Sequence, residues 1–443
     1  MLESGQATTE RVISESHLSR DNEGLVRAIG PLGLTAGVIN IVVGGSIFVL
    51  PAALSSDLGT AAPLAYFVGA AVMALVTISF AAVARRTASS GGPYAYVERA
   101  FGTYPGFLSG LLTWLAGVFA SAAVAAALVD SLSTIVPMLH QPLARGALVV
   151  CLFIVLAAVN IVGVRAASGL STATAFAKFT GLVLFVVLAT RLVVPDNLAW
   201  EWPANGEGLG RATVLVIFAF AGMEVPLCAG GEIREPNRTV PRALALALVL
   251  VTVLYIAVQL VAQGVLGADI ASSKAPLADA LARIGPTGYL LLLATGAVSM
   301  FGYLAGDILG MSRILFAFGR DRLLPHQLAA VHPVTRAPHV AVLVHAVAAT
   351  SLAISGTFKL LAPIASVAIL LLYIACCAAA FKLQRQPAKT GQRVSVIAML
   401  VPLLAIVALF WVLGHSTRSE FLAVGVVLLL GSVLFMIVRR RNR

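Results

Sequence analysis

The chain has 443 residues, of which 59% are hydrophobic and only 11% are charged, and its mean hydropathy is +0.97. Soluble domains carry about 25% charged residues, so this composition excludes an ordinary soluble domain and indicates a membrane protein. The formal net charge of +11 does not indicate a nucleic-acid partner, because the positive residues are distributed as membrane topology requires.

Residues 1–30 are polar and lack the short apolar core and cleavage site of a signal peptide, so they are predicted to form a cytoplasmic tail. Apolar runs of about 20 residues, long enough to cross a bilayer, then recur to the end of the chain. Twelve spans are predicted, at residues 31–54, 61–84, 104–132, 144–164, 170–194, 211–231, 241–266, 286–318, 338–355, 358–381, 394–414 and 420–438.

The distribution of Lys and Arg predicts the orientation of these spans. Of the 30 such residues, 22 lie on the N-terminal side of the membrane, 7 on the other side, and Lys178 lies inside span five. Cytoplasmic loops carry the excess of positive charge, so both termini of this multi-pass protein are predicted to be cytoplasmic, at the inner membrane. The basic end, Arg439 to Arg443, is expected to contact anionic lipid headgroups.

Two of the spans contain residues that break helices. Span one has Gly44, Gly45 and Ser46 near its centre, and span six has Gly222 and Glu224. Such breaks leave backbone groups that lipid cannot satisfy, and a pair of broken helices in corresponding halves of a chain indicates a transporter substrate site.

An inverted repeat is indicated as well, because spans three and eight are both long. Spans 1–5 would then correspond to spans 6–10. The predicted organisation is a tail at residues 1–30, a ten-helix transport core at 31–390, and two accessory helices with a basic tail at 391–443.

Four motifs resemble those of the amino acid–polyamine–organocation (APC) permeases, in their order and in their position relative to the spans. They are VGGSIFVLP at Val43–Pro51, GGPYAYVERAFG at Gly91–Gly102, FAFAGME at Phe218–Glu224 followed by GGEIREPNRTVPRAL at Gly230–Leu244, and SRILFAFGRDRLLP at Ser312–Pro325. The resemblance implies an all-α polytopic membrane protein with the five-plus-five inverted repeat of the leucine-transporter type. It also implies transport of amino acids or related amines.

The first break is predicted to bind the substrate carboxylate, because the half-helix after it presents free N–H groups and a positive dipole end. The resemblance places this carboxylate on a Gly-Ser-Gly turn, which corresponds to Gly44, Gly45 and Ser46 with the last two residue types exchanged. Val43 belongs to the same candidate site. A close helix crossing that needs small residues is the alternative.

The second break has the opposite polarity, because the half-helix ending near Phe220 and Ala221 presents free carbonyl groups that suit an ammonium group. The resemblance assigns the α-amino group to the carbonyls around Phe218, so Ala219 and Gly222 complete the candidate site. It further implies that Phe218 closes over the substrate as a gate, whereas ordinary packing is the alternative.

Two ionisable residues are candidates for proton coupling. The resemblance implies that Lys178 places its amine between spans one and eight, where sodium-coupled relatives of this fold hold a cation; snorkelling of the side chain is the alternative. Because burial disfavours a charged amine, Lys178 could exchange a proton as access alternates. The resemblance implies that Glu224 couples gating to protonation; the alternative is that it bridges the broken helices by hydrogen bonds.

Other polar residues are assigned structural or gating positions. Tyr94 begins a short interfacial segment, which the resemblance places near the inner gate. The alternating charges after span six could form salt bridges across the inner face or remain a solvated loop; they are Glu232, Arg234, Glu235, Arg238 and Arg242. Asp307 is expected to pair with a basic residue or to line the inner pathway, and His345 to be a satisfied packing residue. Asn40 and Asn160 are expected to form hydrogen bonds between helices.

These features predict a secondary transporter of amino acids that works by alternating access, with a neutral substrate and proton coupling. An exchanger and a non-transporting amino acid sensor are the alternatives. A membrane enzyme would need a nucleophile–base set or a metal cluster, and the sequence has neither; nor does it indicate a cofactor. The predicted partners are a small amino acid, protons and membrane lipid, with no nucleic acid, and the protein is expected to be a monomer or a homodimer.

Overall fold

A computed structural model describes residues 27–48, 50–84, 92–133, 135–201, 206–273, 275–355, 358–385, 396–416 and 418–441. Within these ranges the chain is helical and contains no strand beyond one isolated β-bridge. The α-helices are α1 Pro31–Val42, α2 Leu50–Leu58, α3 Ala62–Ala84, α4 Pro93–Phe101, α5 Thr103–Ser133, α6 Pro142–Val162, α7 Val164–Ala189, α8 Gly206–Phe220, α9 Pro236–Leu266, α10 Pro276–Ala282, α11 Pro286–Arg320, α12 His339–Ser355, α13 Phe358–Arg385, α14 Val396–Leu413 and α15 Arg418–Arg441. Short 3-10 helices are Ser46–Phe48, Gly59–Ala61, Pro137–His140, Thr190–Leu192, Pro195–Leu198, Pro226–Glu232, Gly267–Ser272 and His326–Ala329.

Within the described residues, seven helical segments are long and apolar enough to cross a membrane. They are Leu50–Ala84, Thr103–Ser133, Pro142–Val162, Val164–Leu192, Pro236–Ser272, Pro286–Arg320 and Ala365–Arg385. Shorter apolar helices, such as Pro31–Val42 and His339–Ile354, account for the remaining predicted spans. The predicted fold class, an all-α multi-pass membrane protein, is therefore confirmed.

Both predicted breaks are present. The first span stops at Val42 and resumes as α2 at Leu50, with a 3-10 turn between them. The sixth span stops at Phe220 and continues as a turn and a 3-10 segment instead of the α-helix that its apolar sequence predicts. Gly222 has φ +102°, which favours glycine, and a Cβ there would overlap Ile41.

Some predicted boundaries were wrong by several residues. Span five begins at Val164 instead of residue 170, because Gly163, with φ +137°, joins α6 to α7 without a longer loop. Span seven begins at Pro236 instead of residue 241, because a proline at the first helical turn is tolerated.

Glycines on α11 allow the first broken helix to pack closely against it. Gly302, Gly306 and Gly310 recur every four residues, so they share one helix face. A Cβ at these positions would overlap the side chain of Thr174, that of Ile41 and the backbone of the turn after α8, respectively. Membrane helices commonly approach each other through such small residues, and here they bring α11 against α1, α7 and the turn of span six.

The segments that flank the two broken helices are joined on the predicted cytoplasmic side. Ile29 and Ile233 form a parallel β-bridge. The amides of Ala28 and Ile29 donate to the Glu232 carbonyl at 3.0 and 2.9 Å, and the Arg234 amide donates to the Ile29 carbonyl at 2.8 Å. The chain before α1 is therefore fixed to the chain after span six. The predicted divisions near residues 30 and 390 stay predictions, since residues 1–26 and 386–395 lie outside the described ranges.

Candidate functional site

The amine of Lys178 lies at the first break. Its Nζ donates to the carbonyls of Asn40 at 2.8 Å, Val43 at 2.9 Å and Ser299 at 2.8 Å. The side chain is fully buried, so Lys178 does not snorkel to the membrane surface. All three protons of the ammonium group have acceptors, and the group joins the unwound part of span one to span eight.

Polar side chains around this amine hold the same helices. Ser299 Oγ lies 2.8 Å from the Val43 carbonyl and 2.7 Å from the Gly44 carbonyl. Asn40 Nδ2 donates to Ser171 Oγ at 3.0 Å and to the Gly302 carbonyl. Asn40 therefore bonds between helices as expected. Asn160 does not, because its amide donates to Leu156 of its own helix at 2.9 Å.

The first break presents free backbone donors. No described hydrogen bond involves the amides of Gly45, Ser46 or Ile47, whereas the Gly44 amide donates to the Val42 carbonyl at 2.8 Å. There is also space here, because among the described residues a Cβ at Gly45 would meet only Met300 Cγ within 4 Å, at 3.9 Å. Three amides beside an open position can bind an anion such as a carboxylate.

The second break presents free acceptors. Among the described residues no donor is bound to the carbonyls of Phe220 and Ala221, and the Ala219 carbonyl lies 3.3 Å from the Tyr255 hydroxyl. The same hydroxyl lies 2.9 Å from the Val42 carbonyl of the first break. Tyr255 thus joins both breaks.

Tyr255 was not identified from the sequence. A polar stripe could have indicated it, because Tyr255, Gln259 and Gln263 recur every four residues on α9. Gln259 Nε2 lies 3.1 Å from Ser55 Oγ and 3.3 Å from Gln263 Oε1, so the stripe faces the second half of the first span.

Glu224 is bound inside its own turn. Its Oε2 accepts hydrogen bonds from the Tyr373 hydroxyl at 2.6 Å and from the Gly222 amide at 3.2 Å, and the side chain is buried. These bonds hold the turn of span six to span ten and do not form the predicted bridge between the two broken helices. The predicted role in proton coupling is a separate matter and stays a prediction.

Tyr94 is fixed to the inner end of α11. Its hydroxyl donates to Asp321 Oδ2 at 2.7 Å, and its ring packs edge-on against Phe318 with 5.2 Å between centroids. Burial, reinforced by the carboxylates of Asp321 and Glu98, raises the pKa of Tyr94 above its usual value, so the hydroxyl remains a neutral donor. The side chain of Phe218, the predicted gate, lies outside the described part of the structure.

The inner face carries one buried ion pair among the residues that the structure describes. Arg313 Nε and Nη2 donate to the two carboxylate oxygens of Glu232 at 3.1 and 3.0 Å, and both side chains are at most 1% exposed. Of the two alternatives for the charges after span six, Glu232 follows the salt bridge, which it forms with span eight. Glu235 and Arg238 form only an exposed local pair at 3.7 Å, which contributes little.

Two ionisable residues of the membrane interior contact each other. Asp307 was expected to pair with a nearby basic residue or to line the inner pathway, and the structure places its Oδ2 3.2 Å from His345 Nε2 of span nine. The prediction for His345 was wrong. The residue is buried, but neither of its ring nitrogens has a hydrogen-bond partner among the described residues, so it is not a satisfied packing residue.

A narrow cavity lies between α1, α7, α11 and the 3-10 segment after span six. It has room for about one water molecule. Its walls include Ile41 of α1, Ser171 of α7 and Gly306 of α11. Ser171 also accepts the bond from Asn40, whose carbonyl accepts a bond from the Lys178 amine, so the cavity lies beside the residues that hold Lys178. The described residues contain no group of His, Cys, Asp and Glu that could hold a metal ion.

The chain is similar in sequence to known membrane transporters. The family described as "Amino acid permease" matches residues 29–433. The chain is 30% identical over 380 residues to an uncharacterized transporter of Mycobacterium tuberculosis, which covers 85% of this chain and 84% of that protein. It is 26% identical over 428 residues to the serine/threonine exchanger SteT of Bacillus subtilis, covering 93% and 96%. It is also 26% identical over 337 residues to the branched-chain amino acid permease BcaP of the same species, covering 72% of each.

The family match extends over most of the chain, and SteT and BcaP are an exchanger and a permease of amino acids. The predicted resemblance is therefore confirmed. The chain belongs to the amino acid permease family of the APC superfamily, and it is a multi-pass membrane transporter of amino acids and not an enzyme.

Proposed function

We propose that this permease carries a neutral amino acid across the cytoplasmic membrane by alternating access and that the transport is coupled to protons. The observation that carries the proposal is the Lys178 amine, which occupies the junction of the first break with span eight and bonds to three carbonyls there. An ammonium in this position takes the place of a bound cation.

The two breaks supply complementary groups for a zwitterionic substrate. The amides of Gly45 to Ile47 would bind its carboxylate, and the carbonyls of Phe220 and Ala221 would accept its ammonium. The charged groups near the two breaks support a substrate whose side chain is neutral. Lys178 is committed to backbone carbonyls and Glu224 to Tyr373, so neither is left to pair with a charged substrate side chain.

Proton release from Lys178 would weaken the contact between spans one and eight. A neutral amine has two N–H donors instead of three, so one of its three bound carbonyls loses this donor and the junction is held by one hydrogen bond fewer. The half-helix α1 would then separate more easily from α11. This links the proton on Lys178 to movement at the inner cavity.

An exchanger is the second candidate, favoured by the similarity to SteT over 93% of this chain.

We also propose that both termini lie in the cytoplasm, that the basic end contacts anionic lipid, and that accessory helices follow a core at residues 31–390. The expected assembly is a monomer or a homodimer.

Uptake into proteoliposomes tests the proposal. A thermal-shift screen with the common amino acids first identifies the ligand, because a ligand that binds the folded protein raises its stability. We expect accumulation of that amino acid with an inwardly directed proton gradient and none with a sodium gradient alone. Binding without accumulation would instead indicate a sensor, and uptake only into vesicles preloaded with substrate would indicate an exchanger.

Gly45→Val tests the carboxylate site. The added methyl groups enter the open position beside the free amides, so substrate affinity is expected to fall by more than tenfold, or about 1.4 kcal/mol. The measurement is the Kd of the purified variant in detergent. Gly169→Val is the matched control, because Gly169 is exposed on α7 and a Cβ there meets nothing within 4 Å. Normal affinity in folded Gly45→Val protein would place the carboxylate elsewhere.

Phe218 is tested as a gate by comparing two variants. Phe218→Ala should weaken substrate affinity because the aromatic wall over the substrate is lost, whereas Phe218→Trp should keep partial function. Loss of a buried aromatic costs about 3–5 kcal/mol, so the thermal stability of each variant is measured beside its Kd. Equal affinity in both variants and wild type would assign Phe218 to packing.

A further inference from the structure

A second group of buried ionisable side chains lies outside the two breaks. Asp307 of α11 accepts a hydrogen bond from Ser121 Oγ of α5 at 2.6 Å, and His345 Nε2 of α12 lies 3.2 Å from the same carboxylate oxygen. All three residues have no exposed surface. The group joins spans three, eight and nine and shares no hydrogen bond with Lys178.

Three polar atoms of this group have no hydrogen-bond partner among the described residues. They are Asp307 Oδ1 and both ring nitrogens of His345. The approach of Nε2 to Oδ2 has the distance of an ion pair but not the alignment of a hydrogen bond. Buried acids and bases are normally paired and bonded, so packing alone does not account for the arrangement. The unpartnered atoms are positions where a proton can be bound or released.

The charge of Asp307 affects other titratable groups near it. Glu224 in the turn of span six, Cys228 in the 3-10 segment and Tyr303 on α11 all interact electrostatically with Asp307. Arg313 is bound to Glu232, and Lys178 to backbone carbonyls. A negative charge on Asp307 therefore opposes one on Glu224, which holds the second break through Gly222 and Tyr373.

We propose that Asp307 and His345 form a proton-binding pair separate from Lys178, oriented by Ser121. The pair takes up one proton from water, and its net charge rises by one, without any other bond changing. Asp307 and His345 are close enough to titrate as one unit. Protonation of the pair changes the electrostatic potential at Glu224. Because Glu224 holds the turn at the second break, the protonation state of the pair affects the stability of that turn. The inference goes beyond the proposed function, since proton binding by this pair does not depend on Lys178.

Nuclear magnetic resonance of ¹⁵N-histidine in the full-length protein tests the pair directly. The chain has seven histidines, and His345→Gln identifies the signals that belong to His345. We expect the ring nitrogens of His345 to change between their neutral and charged signatures across the pH series. Asp307→Asn should reduce the charged fraction of His345 at any given pH, because the neighbouring carboxylate is lost.

The controls separate this inference from the proposed function. His140→Gln, at an exposed histidine, should remove one set of signals and leave those of His345 unchanged. Lys178→Ala should leave the titration of His345 intact. If proton-driven uptake fails in the wild type while His345 still titrates, the proposed coupling through Lys178 is wrong and the pair stands.

A different result would overturn the pair. His345 that stays neutral in one tautomer over the whole pH range would show that it is a packing residue. That readout needs only wild-type protein and the assignment variant, so it holds even if Asp307→Asn does not fold. Ser121→Ala, which removes one donor without changing charge, should retain the titration, and its loss in stable Ser121→Ala protein would also contradict the assignment.

Discussion

Lys178→Ala is expected to abolish accumulation of substrate driven by a proton gradient. The substitution removes the ammonium that joins span one to span eight and leaves the carbonyls of Asn40, Val43 and Ser299 without this donor. Each unsatisfied buried group costs about 1–3 kcal/mol, so the junction should loosen and lose its response to protons. The measurement is uptake of labelled amino acid into proteoliposomes with and without an imposed gradient.

Two controls make the result specific to the buried amine. Lys382→Ala removes an exposed lysine that lies over the Phe101 ring at 5.0 Å and should leave uptake unchanged. A thermal-unfolding measurement establishes that Lys178→Ala is folded before its transport is compared. Concentrative uptake by that variant at the wild-type rate would contradict the role of Lys178, as would strict sodium dependence of the wild type.

Arg313→Met is expected to cause the largest loss of stability on the inner face. Arg313 and Glu232 form a bidentate pair with both side chains buried. Removing one partner of such a pair costs about 3–5 kcal/mol, because the other charge remains buried without compensation. The melting temperature of purified Arg313→Met protein should therefore fall well below that of the wild type.

Restoring neutrality should recover much of this loss. In the double variant Glu232→Gln with Arg313→Met neither partner carries a buried charge, so its melting temperature should exceed that of Arg313→Met alone. Arg238→Met is the matched control, because its pair with Glu235 is exposed, and its effect should be small. A single variant as stable as the wild type would show that the pair does not hold the inner face together.

The sequence predicted the features that arise from local chemistry. Glycines within an apolar run mark both breaks, since lipid cannot satisfy unpaired backbone groups. The twelve spans were predicted from hydropathy alone. The second half of span six was harder, because an apolar segment does not reveal whether it coils as an α-helix or as the 3-10 helix found at Pro226–Glu232.

Contacts between distant parts of the chain could not be predicted in the same way. Glu232 and Arg313 are 81 residues apart, and several arginines closer in sequence were equally plausible partners. Asp307 pairs with His345 through the packing of α11 against α12, and Tyr255 reaches two carbonyls that come together only in the folded protein. These pairings depend on helix rotation, which periodicity leaves undetermined when a helix is apolar on most faces.

The position of Tyr255 has a consequence for substrate binding. Its hydroxyl carries one proton but lies near two acceptors, the Val42 carbonyl at 2.9 Å and the Ala219 carbonyl at 3.3 Å. The Tyr255 hydroxyl can therefore occupy the position at the Ala219 carbonyl that a ligand donor would take at the second break. The ammonium group of a substrate can donate to the Ala219 carbonyl while Tyr255 keeps its shorter bond to the Val42 carbonyl. The substrate then replaces a long internal hydrogen bond with a charge-assisted one, and the Tyr255 hydroxyl still has an acceptor.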